Sequence, residues 1–132
     1  MKKCWIWVIL AAMLLTACAQ TESKDKESVY VNITAQEAKE IMESHTGYII
    51  LDVRTPEEFR DKHIPGAINI ANESIGTDEI PQLPHKDQLI LVYCRSGNRS
   101  KQASKKLVDL GYTNIVEFGG IIDWPGETVP VD

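Results

Sequence analysis

The stretch QLILVYCRSGNRSKQASKKLVDLGY, residues 88–112, carries the pattern that decides the fold. Its first part is an uninterrupted apolar run, which predicts a strand buried on both faces. Its last part places Ala103, Leu107 and Leu110 on one side of a helix, and Gly111 stands where that helix should end. A buried strand that passes through a glycine-containing loop into a helix is typical of α/β proteins with a parallel sheet.

The remainder of the chain alternates strand and helix patterns in the same way. Helices are predicted where Thr34 and Glu37 have capping-box spacing, and where Pro56 opens an acid-rich turn. The other predicted strands are VYVNI (29–33), YIILDV (48–53), AINI (67–70) and NIVEF (114–118). We therefore predict one α/β domain over residues 29–132, with a mostly parallel central sheet of about five short strands flanked by helices on both faces.

Cys94 lies at the carboxyl end of the central predicted strand, where parallel sheets bind their ligands. In the loop CRSGNRS, a turn from strand to helix points successive backbone N–H groups inward at the positive end of the helix dipole. Gly97 permits the positive φ that such a turn requires, and Asn98 or Ser100 is a candidate helix cap. The loop therefore predicts an anion-binding site that favours a thiolate on Cys94.

The amino terminus has the composition of an export signal. Two lysines precede an apolar run of about ten residues, which is too short to cross a bilayer, where about twenty are needed. LTAC, residues 15–18, resembles the bacterial lipobox, and this implies cleavage before Cys18 and a lipid on its sulfur. We predict a lipoprotein signal peptide over 1–17, a lipidated cysteine with a flexible tether over 18–28, and a lipid-anchored position in the bacterial cell envelope, outside the cytoplasm. An ordinary signal peptide cut nearby is the alternative.

Charge and cysteine content narrow the possible partners. The formal net charge is −5, and losing the two leader lysines would make it more negative, which disfavours nucleic acid. Of the three cysteines, Cys4 falls in the leader and Cys18 would be acylated, so Cys94 would be the free thiol of the mature protein. The three histidines are scattered without the spacing of metal ligands. We expect no metal and no cofactor, and a monomer by default.

Three segments together resemble the rhodanese family of sulfurtransferases, which carry sulfane sulfur as a cysteine persulfide. CRSGNRS, residues 94–100, resembles the active-site loop of that family, and LDVRTPEEFRDKHIPGAINI (51–70) and GGIIDW (119–124) resemble two further segments. The resemblance extends over residues 29–131, as in a single-domain member. Lys62 stands where the family commonly has glycine, which affects a local turn and leaves the loop unchanged.

The resemblance implies a role for each residue of the site. Cys94 would be the nucleophile that takes the outer sulfur of thiosulfate or of a persulfide donor and passes it to a thiol or to cyanide. The residues expected to bind the donor and the terminal sulfur are Arg95, Ser96, Gly97, Asn98 and Arg99. Asp52, Arg54 and Ser100 are expected to support the loop, with Asp52 and Arg54 as an internal ion pair.

The two arginines of the loop have different expected roles. Arg95 should point outward and attract an anionic donor. For Arg99 two roles remain open: it contacts the substrate, or it holds the loop through a carboxylate such as Asp52 or Glu117.

Two other functions are compatible with a cysteine in such a loop. In the cysteine-dependent phosphatases and arsenate reductases, one residue more separates the cysteine from the arginine than the four found here, so the smaller loop favours a persulfide sulfur over a phosphoryl group. The second alternative is a persulfide carrier or interaction module that holds sulfur on Cys94 for a partner protein. A sulfurtransferase and a persulfide carrier would differ in the molecule that accepts the sulfur.

Overall fold

The computed structural model describes residues 29–132, so the predicted leader, the lipidated Cys18 and the tether over 18–28 lie outside the described part of the chain. The strands are β1 (Val31–Asn32), β2 (Ile49–Asp52), β3 (Ile68–Asn69), β4 (Ile90–Cys94) and β5 (Ile115–Gly120). The helices are α1 (Ala35–Ser44), α2 (Pro56–Asp61) and α3 (Asn98–Asp109), with short 3₁₀ turns at Asn72–Ser74 and Ile121–Asp123.

All five strands form one parallel sheet in the order β1-β5-β4-β2-β3. The central strand, β4, pairs with β5 on one side and β2 on the other, and all five of its residues are buried. The predicted five-stranded α/β architecture is confirmed. The two edge strands are shorter than the sequence suggested, since β1 and β3 have two residues each.

The alternation of side chains along the central strands builds a core on each face of the sheet. On one face Leu51 and Val92 pack with Ala103 and Leu107 of α3. On the other face Leu91, together with Tyr93, packs with the buried alanines of α1. Each face of the sheet is therefore covered by a helix, which fits the continuous apolar runs of β2 and β4.

Helix α1 begins at the cap that the sequence indicates, α2 begins at the predicted Pro56 after a cap that the sequence analysis did not name, and α3 has no side-chain cap. Thr34 caps α1, and Thr55 forms a full capping box with Glu58 at the start of α2. Helix α3 begins after Gly97 without a side-chain cap, so the expectation that Asn98 or Ser100 caps it is wrong. The backbone N–H of Gly97, just before this helix, donates to the sulfur of Cys94.

The topology brings the carboxyl ends of β2, β4 and β5 together. The pairing of β4 with β5 shifts register between Val92 and Cys94, so that Cys94 lies opposite Gly120. This irregularity lies where the loop leaves the sheet. Among residues 29–132, no helix combines the length and the apolar character needed to cross a bilayer.

Candidate active site

The sulfur of Cys94 lies inside the loop that follows β4. Cys94 is 1% exposed, and its Sγ accepts a hydrogen bond of 3.0 Å from the backbone N–H of Gly97. Gly97 has a φ of 110°, in the left-handed region that favours glycine. The turn therefore folds back on the sulfur, and α3 begins immediately afterwards with its positive end toward it.

A second glycine segment closes the loop from the side of β5. A Cβ added to Gly120 would overlap the carbonyl group of Arg95, and the N–H of Ile122 donates to that carbonyl oxygen over 3.3 Å. Only a residue without a side chain permits this approach. The segment GGIIDW thus supports the active-site loop, a role that its sequence did not reveal.

Ser100 connects Cys94 to a buried carboxylate. The Ser100 Oγ lies 3.4 Å from the Cys94 Sγ and 2.6 Å from Oε1 of Glu117. Both Ser100 and Glu117 are fully buried. Glu117 also accepts hydrogen bonds from the backbone N–H of Gly119, over 2.8 Å, and from the side-chain amide of Asn32. This group joins α3, β1 and β5 beneath the loop.

Arg99 pairs with a carboxylate that sequence reasoning missed. Its Nη1 and Nη2 donate to the two carboxylate oxygens of Glu58, over 2.7 and 3.0 Å. This hydrogen bond to Arg99 lowers the pKa of Glu58 to about 2, and it raises the pKa of Arg99. The suggested partners Asp52 and Glu117 are therefore wrong, and the pair instead ties the start of α3 to α2.

Asp52 and Arg54 form the ion pair expected at the end of β2. Arg54 donates to both carboxylate oxygens of Asp52, with Nη2 at 2.7 Å, and its backbone N–H donates to Oδ1 over 2.9 Å. Burial acts to lower the pKa of Arg54, but the hydrogen bond and charge of Asp52 outweigh it, so that pKa is raised. Nη2 also donates to the carbonyl oxygen of Lys62 over 2.6 Å, so the pair fixes the chain beyond α2.

The other residues of the loop face solvent. Arg95, Ser96 and Asn98 are exposed. Beside Arg95 lies a surface pocket of about 340 Å³, whose lining is Arg54, Glu58, Asp61, Lys62, Arg95, Ile121 and Ile122. The predicted binding residues are thus divided: Gly97 contacts the sulfur, Arg95 borders a pocket, and Arg99 is held by another carboxylate.

Comparison with known proteins identifies the family. The rhodanese-like domain profile matches residues 34–126, which is most of the chain and includes the loop described above. The chain belongs to the rhodanese-like family. This match also covers the Asp52–Arg54 pair, Glu58 and Glu117, so the structural features around the loop belong to the rhodanese-like domain.

Two curated relatives have names that give sulfurtransferase as their one activity. The chain is 37% identical over 73 residues to the thiosulfate sulfurtransferase PspE of Escherichia coli strain K12, covering 55% of this chain and 70% of that protein. It is 37% identical over 86 residues to a sulfurtransferase of Allochromatium vinosum, covering 63% of this chain and 77% of that protein. These similarities place the rhodanese-like domain among sulfurtransferase relatives.

Two further comparisons show how widely the domain is used. The chain is 38% identical over 91 residues to the adenylyltransferase and sulfurtransferase UBA4 of Meyerozyma guilliermondii, and it spans only 21% of that protein. A solved rhodanese from E. coli, described as containing anions, has 34% sequence identity and a TM-score of 0.58, covering 64% of this chain and 99% of that one. The matched region thus makes up nearly all of that solved chain and about a fifth of the UBA4 protein.

The arrangement can stabilise negative charge on sulfur. A backbone N–H at 3.0 Å and the amino end of a helix both act on the Cys94 Sγ, and they need no conformational change to do so. Within residues 29–132, no three His, Cys, Asp or Glu side chains lie close enough together to hold a metal ion.

Proposed function

We propose that this protein is a sulfurtransferase that moves sulfane sulfur from thiosulfate or a persulfide donor to a thiol or cyanide acceptor through a persulfide on Cys94. The observation that carries the proposal is the hydrogen bond from the Gly97 N–H to the Cys94 Sγ, at the start of α3. Membership of the rhodanese-like family and the two sulfurtransferase relatives support it.

The reaction has two half-reactions at one sulfur atom. The Cys94 thiolate attacks the outer sulfur of thiosulfate, the new S–S bond forms, and sulfite leaves with the electron pair of the bond that breaks. The acceptor then attacks the outer sulfur of the Cys94 persulfide and releases the thiolate. Negative charge is present on sulfur in both half-reactions, so the fixed Gly97 N–H and the amino end of α3 stabilise each of them.

Arg95 is proposed to attract the donor. Its side chain is exposed and borders the pocket of about 340 Å³, together with Lys62. The pocket lining also includes Arg54, which is paired with Asp52, Glu58, which is paired with Arg99, and Asp61. Arg95 and Lys62 therefore outnumber the one acid left without a salt bridge, and this excess of positive charge favours dianionic thiosulfate at low ionic strength, an effect that salt weakens.

The position of Arg99 speaks against a phosphatase or an arsenate reductase. Such enzymes need an arginine free to bind the oxyanion beside the thiolate. Here both ends of the Arg99 guanidinium donate to Glu58. A loop without this cation suits a single terminal sulfur better than a phosphoryl group.

We also propose that the protein is exported and anchored by lipid at Cys18, with residues 1–17 removed and 18–28 serving as a tether. The basis is the LTAC sequence after a short apolar run. Expression of the full chain in a bacterium should yield a mature protein that begins at Cys18 and whose amino-terminal peptide carries the added mass of a lipid, and Cys18→Ala should abolish that added mass. An amino-terminal peptide without lipid in the wild-type protein would contradict lipid anchoring.

The sulfurtransferase proposal is tested by steady-state thiocyanate production from thiosulfate and cyanide, using the full chain. Cys94→Ser should abolish turnover and retain a native circular dichroism spectrum, and Cys18→Ala serves as the control for a cysteine substitution outside the loop. Turnover retained by Cys94→Ser would overturn the proposal. A Cys94 persulfide that discharges only to a protein thiol would identify the carrier alternative instead.

A further inference from the structure

The surface pocket that Arg95 borders lies beside the loop that holds the sulfur of Cys94. Arg95 follows Cys94 directly in the chain, and two further lining residues, Ile121 and Ile122, follow Gly120, which lies opposite Cys94 in the sheet. The end of α2 completes the lining. A molecule bound in this pocket is therefore adjacent to the active-site loop.

The pocket is larger than the inorganic substrates require. Its volume of about 340 Å³ falls within the range of about 300–1,000 Å³ that is common for pockets that bind small organic molecules. Thiosulfate and cyanide are compact and would fill a small part of it. Ile122, which is 63% exposed, adds apolar surface that suits the carbon atoms of an organic molecule. The pocket thus has room for an organic sulfur acceptor.

Asp61 is the charged residue of this pocket that the binding of thiosulfate does not explain. A carboxylate at this position repels a dianionic donor. Within residues 29–132, Asp61 forms no salt bridge, so it is not needed to hold a cation of the fold. It is also the last residue of α2, where the helix dipole disfavours a negative side chain. Neither the donor nor the helix therefore explains an acid here.

The free charges of the pocket suit a molecule that carries charges of both signs. Two of the lining side chains, Arg54 and Glu58, are engaged in the ion pairs described above. Among the described residues, the charged lining side chains without a salt bridge are the cations Arg95 and Lys62 and the anion Asp61. A thiol amino acid has the complementary groups, namely a carboxylate for the cations and an ammonium group for the anion.

We propose that this pocket binds the sulfur acceptor, a small thiol that carries both a carboxylate and an ammonium group, and that Asp61 selects this acceptor by binding its ammonium group. Arg95 and Lys62 bind its carboxylate. The inference rests on the proposed function, because it names the chemical class of the molecule that receives the sulfur.

The transfer to this acceptor is one displacement at sulfur. The thiolate of the acceptor attacks the outer sulfur of the Cys94 persulfide, and a new S–S bond forms. The bond between the outer sulfur and Cys94 breaks, and its electron pair stays on the Cys94 sulfur. The acceptor then leaves the pocket as a persulfide.

The proposal is tested by the discharge of the Cys94 persulfide to three matched acceptors. The full chain is loaded with thiosulfate and freed of excess reagent, and loss of the persulfide from the Cys94 peptide is followed by mass spectrometry. L-cysteine carries both charged groups, 3-mercaptopropionate lacks the ammonium group, and cysteamine lacks the carboxylate. Because the three thiols differ in intrinsic reactivity, the rate constant for each acceptor is compared between wild type and variant.

The ammonium group should be recognised through Asp61 alone. Asp61→Asn should lower the rate constants for L-cysteine and cysteamine about two- to fivefold, as expected for an exposed ion pair, without lowering that for 3-mercaptopropionate. The control Glu57→Gln removes a negative charge from an exposed position of the same helix outside the pocket, and it should leave all three rate constants unchanged. Asp61 is itself exposed, so Asp61→Asn should keep the wild-type urea midpoint.

The carboxylate should be recognised through the cations. Lys62→Gln should lower the rate constants for L-cysteine and 3-mercaptopropionate without lowering that for cysteamine. The two variants thus have opposite patterns toward the two incomplete acceptors.

Two results would overturn the inference and leave the sulfurtransferase function intact. The first is a loaded Asp61→Asn variant that discharges to L-cysteine and cysteamine as fast as wild type. The second is an equal loss of rate for all three acceptors, or the same losses in Glu57→Gln. A wild-type chain that takes up no sulfur on Cys94 would instead overturn the proposed function, and this inference with it.

Discussion

Replacing Asp52 with asparagine tests the ion pair that holds the end of β2. The Asp52 side chain is fully buried, and that of Arg54 is 4% exposed. Asp52→Asn removes the negative charge and one of the two acceptor oxygens, and so leaves the Arg54 guanidinium buried with neutral acceptors only, the remaining side-chain oxygen and the Lys62 carbonyl. Breaking a buried pair in this way typically costs about 3–5 kcal/mol.

That loss is large against the total stability of a domain of this size, about 5–15 kcal/mol. Urea unfolding of the full chain, followed by circular dichroism, measures it. With a slope of about 1–3 kcal/mol per molar urea, the midpoint should fall by at least about 1 M. The control Asp87→Asn makes the same change at an exposed position and should stay within about 0.5 kcal/mol of wild type.

A second variant tests whether the unpaired charge of Arg54 causes the loss of stability. Asp52→Asn combined with Arg54→Met removes the uncompensated cation, so the double variant should be more stable than Asp52→Asn alone by at least about 1 kcal/mol. If Asp52→Asn costs no more than Asp87→Asn, or if the double variant recovers nothing, then Asp52 is not stabilising a buried charge and the reasoning fails.

Three further predictions concern the loop and its supports. Gly120→Ala should lower thiosulfate turnover by more than tenfold, because the added methyl group overlaps the Arg95 carbonyl and displaces the loop; normal turnover would contradict that contact. Glu58→Gln should lower stability at neutral pH by about 0.5–1 kcal/mol, since the pair with Arg99 is partly exposed. The pKa of Glu58 is about 2, below its usual 4.5, so the stabilisation by this pair is complete above pH 4.5 and disappears as the pH falls through 2. If the urea midpoints of wild type and Glu58→Gln differ equally at neutral pH and near pH 2, the lowered pKa is contradicted. Arg95→Ala should raise KM for thiosulfate several-fold with little change in kcat, and an unchanged KM would exclude charge steering.

The parts of the fold that the sequence predicts best are those governed by local patterns. The apolar runs of β2 and β4 and the amphipathic α3 are visible because burial on both faces, or on one helical face, leaves a clear periodicity. The edge strands β1 and β3 were overestimated, since each pairs with one neighbour only and its ends leave the sheet. The cap of α1 was predicted from Thr34 and Glu37, and the start of α2 from Pro56, whereas the Thr55 cap of α2 was not predicted.

The contacts that the sequence did not predict are tertiary. The partner of Arg99 is Glu58, 41 positions earlier in the chain, and it is set by how α2 and α3 meet. The connection of Ser100 to Glu117 likewise depends on β5 lying beside β4. A signal was present in each case: Glu58 has capping-box spacing from Thr55, and Glu117 is an isolated acid in the apolar run NIVEF. Neither signal identifies the residue that Glu58 or Glu117 contacts.

The central claim is that Cys94 carries sulfane sulfur within the loop. Mass spectrometry of the full chain after incubation with thiosulfate, with and without subsequent cyanide, tests it most directly. We predict a gain of one sulfur atom on the Cys94 peptide, its removal by cyanide, and no gain in Cys94→Ser. A Cys94 peptide that gains no sulfur from thiosulfate or from a low-molecular-weight persulfide would contradict the account.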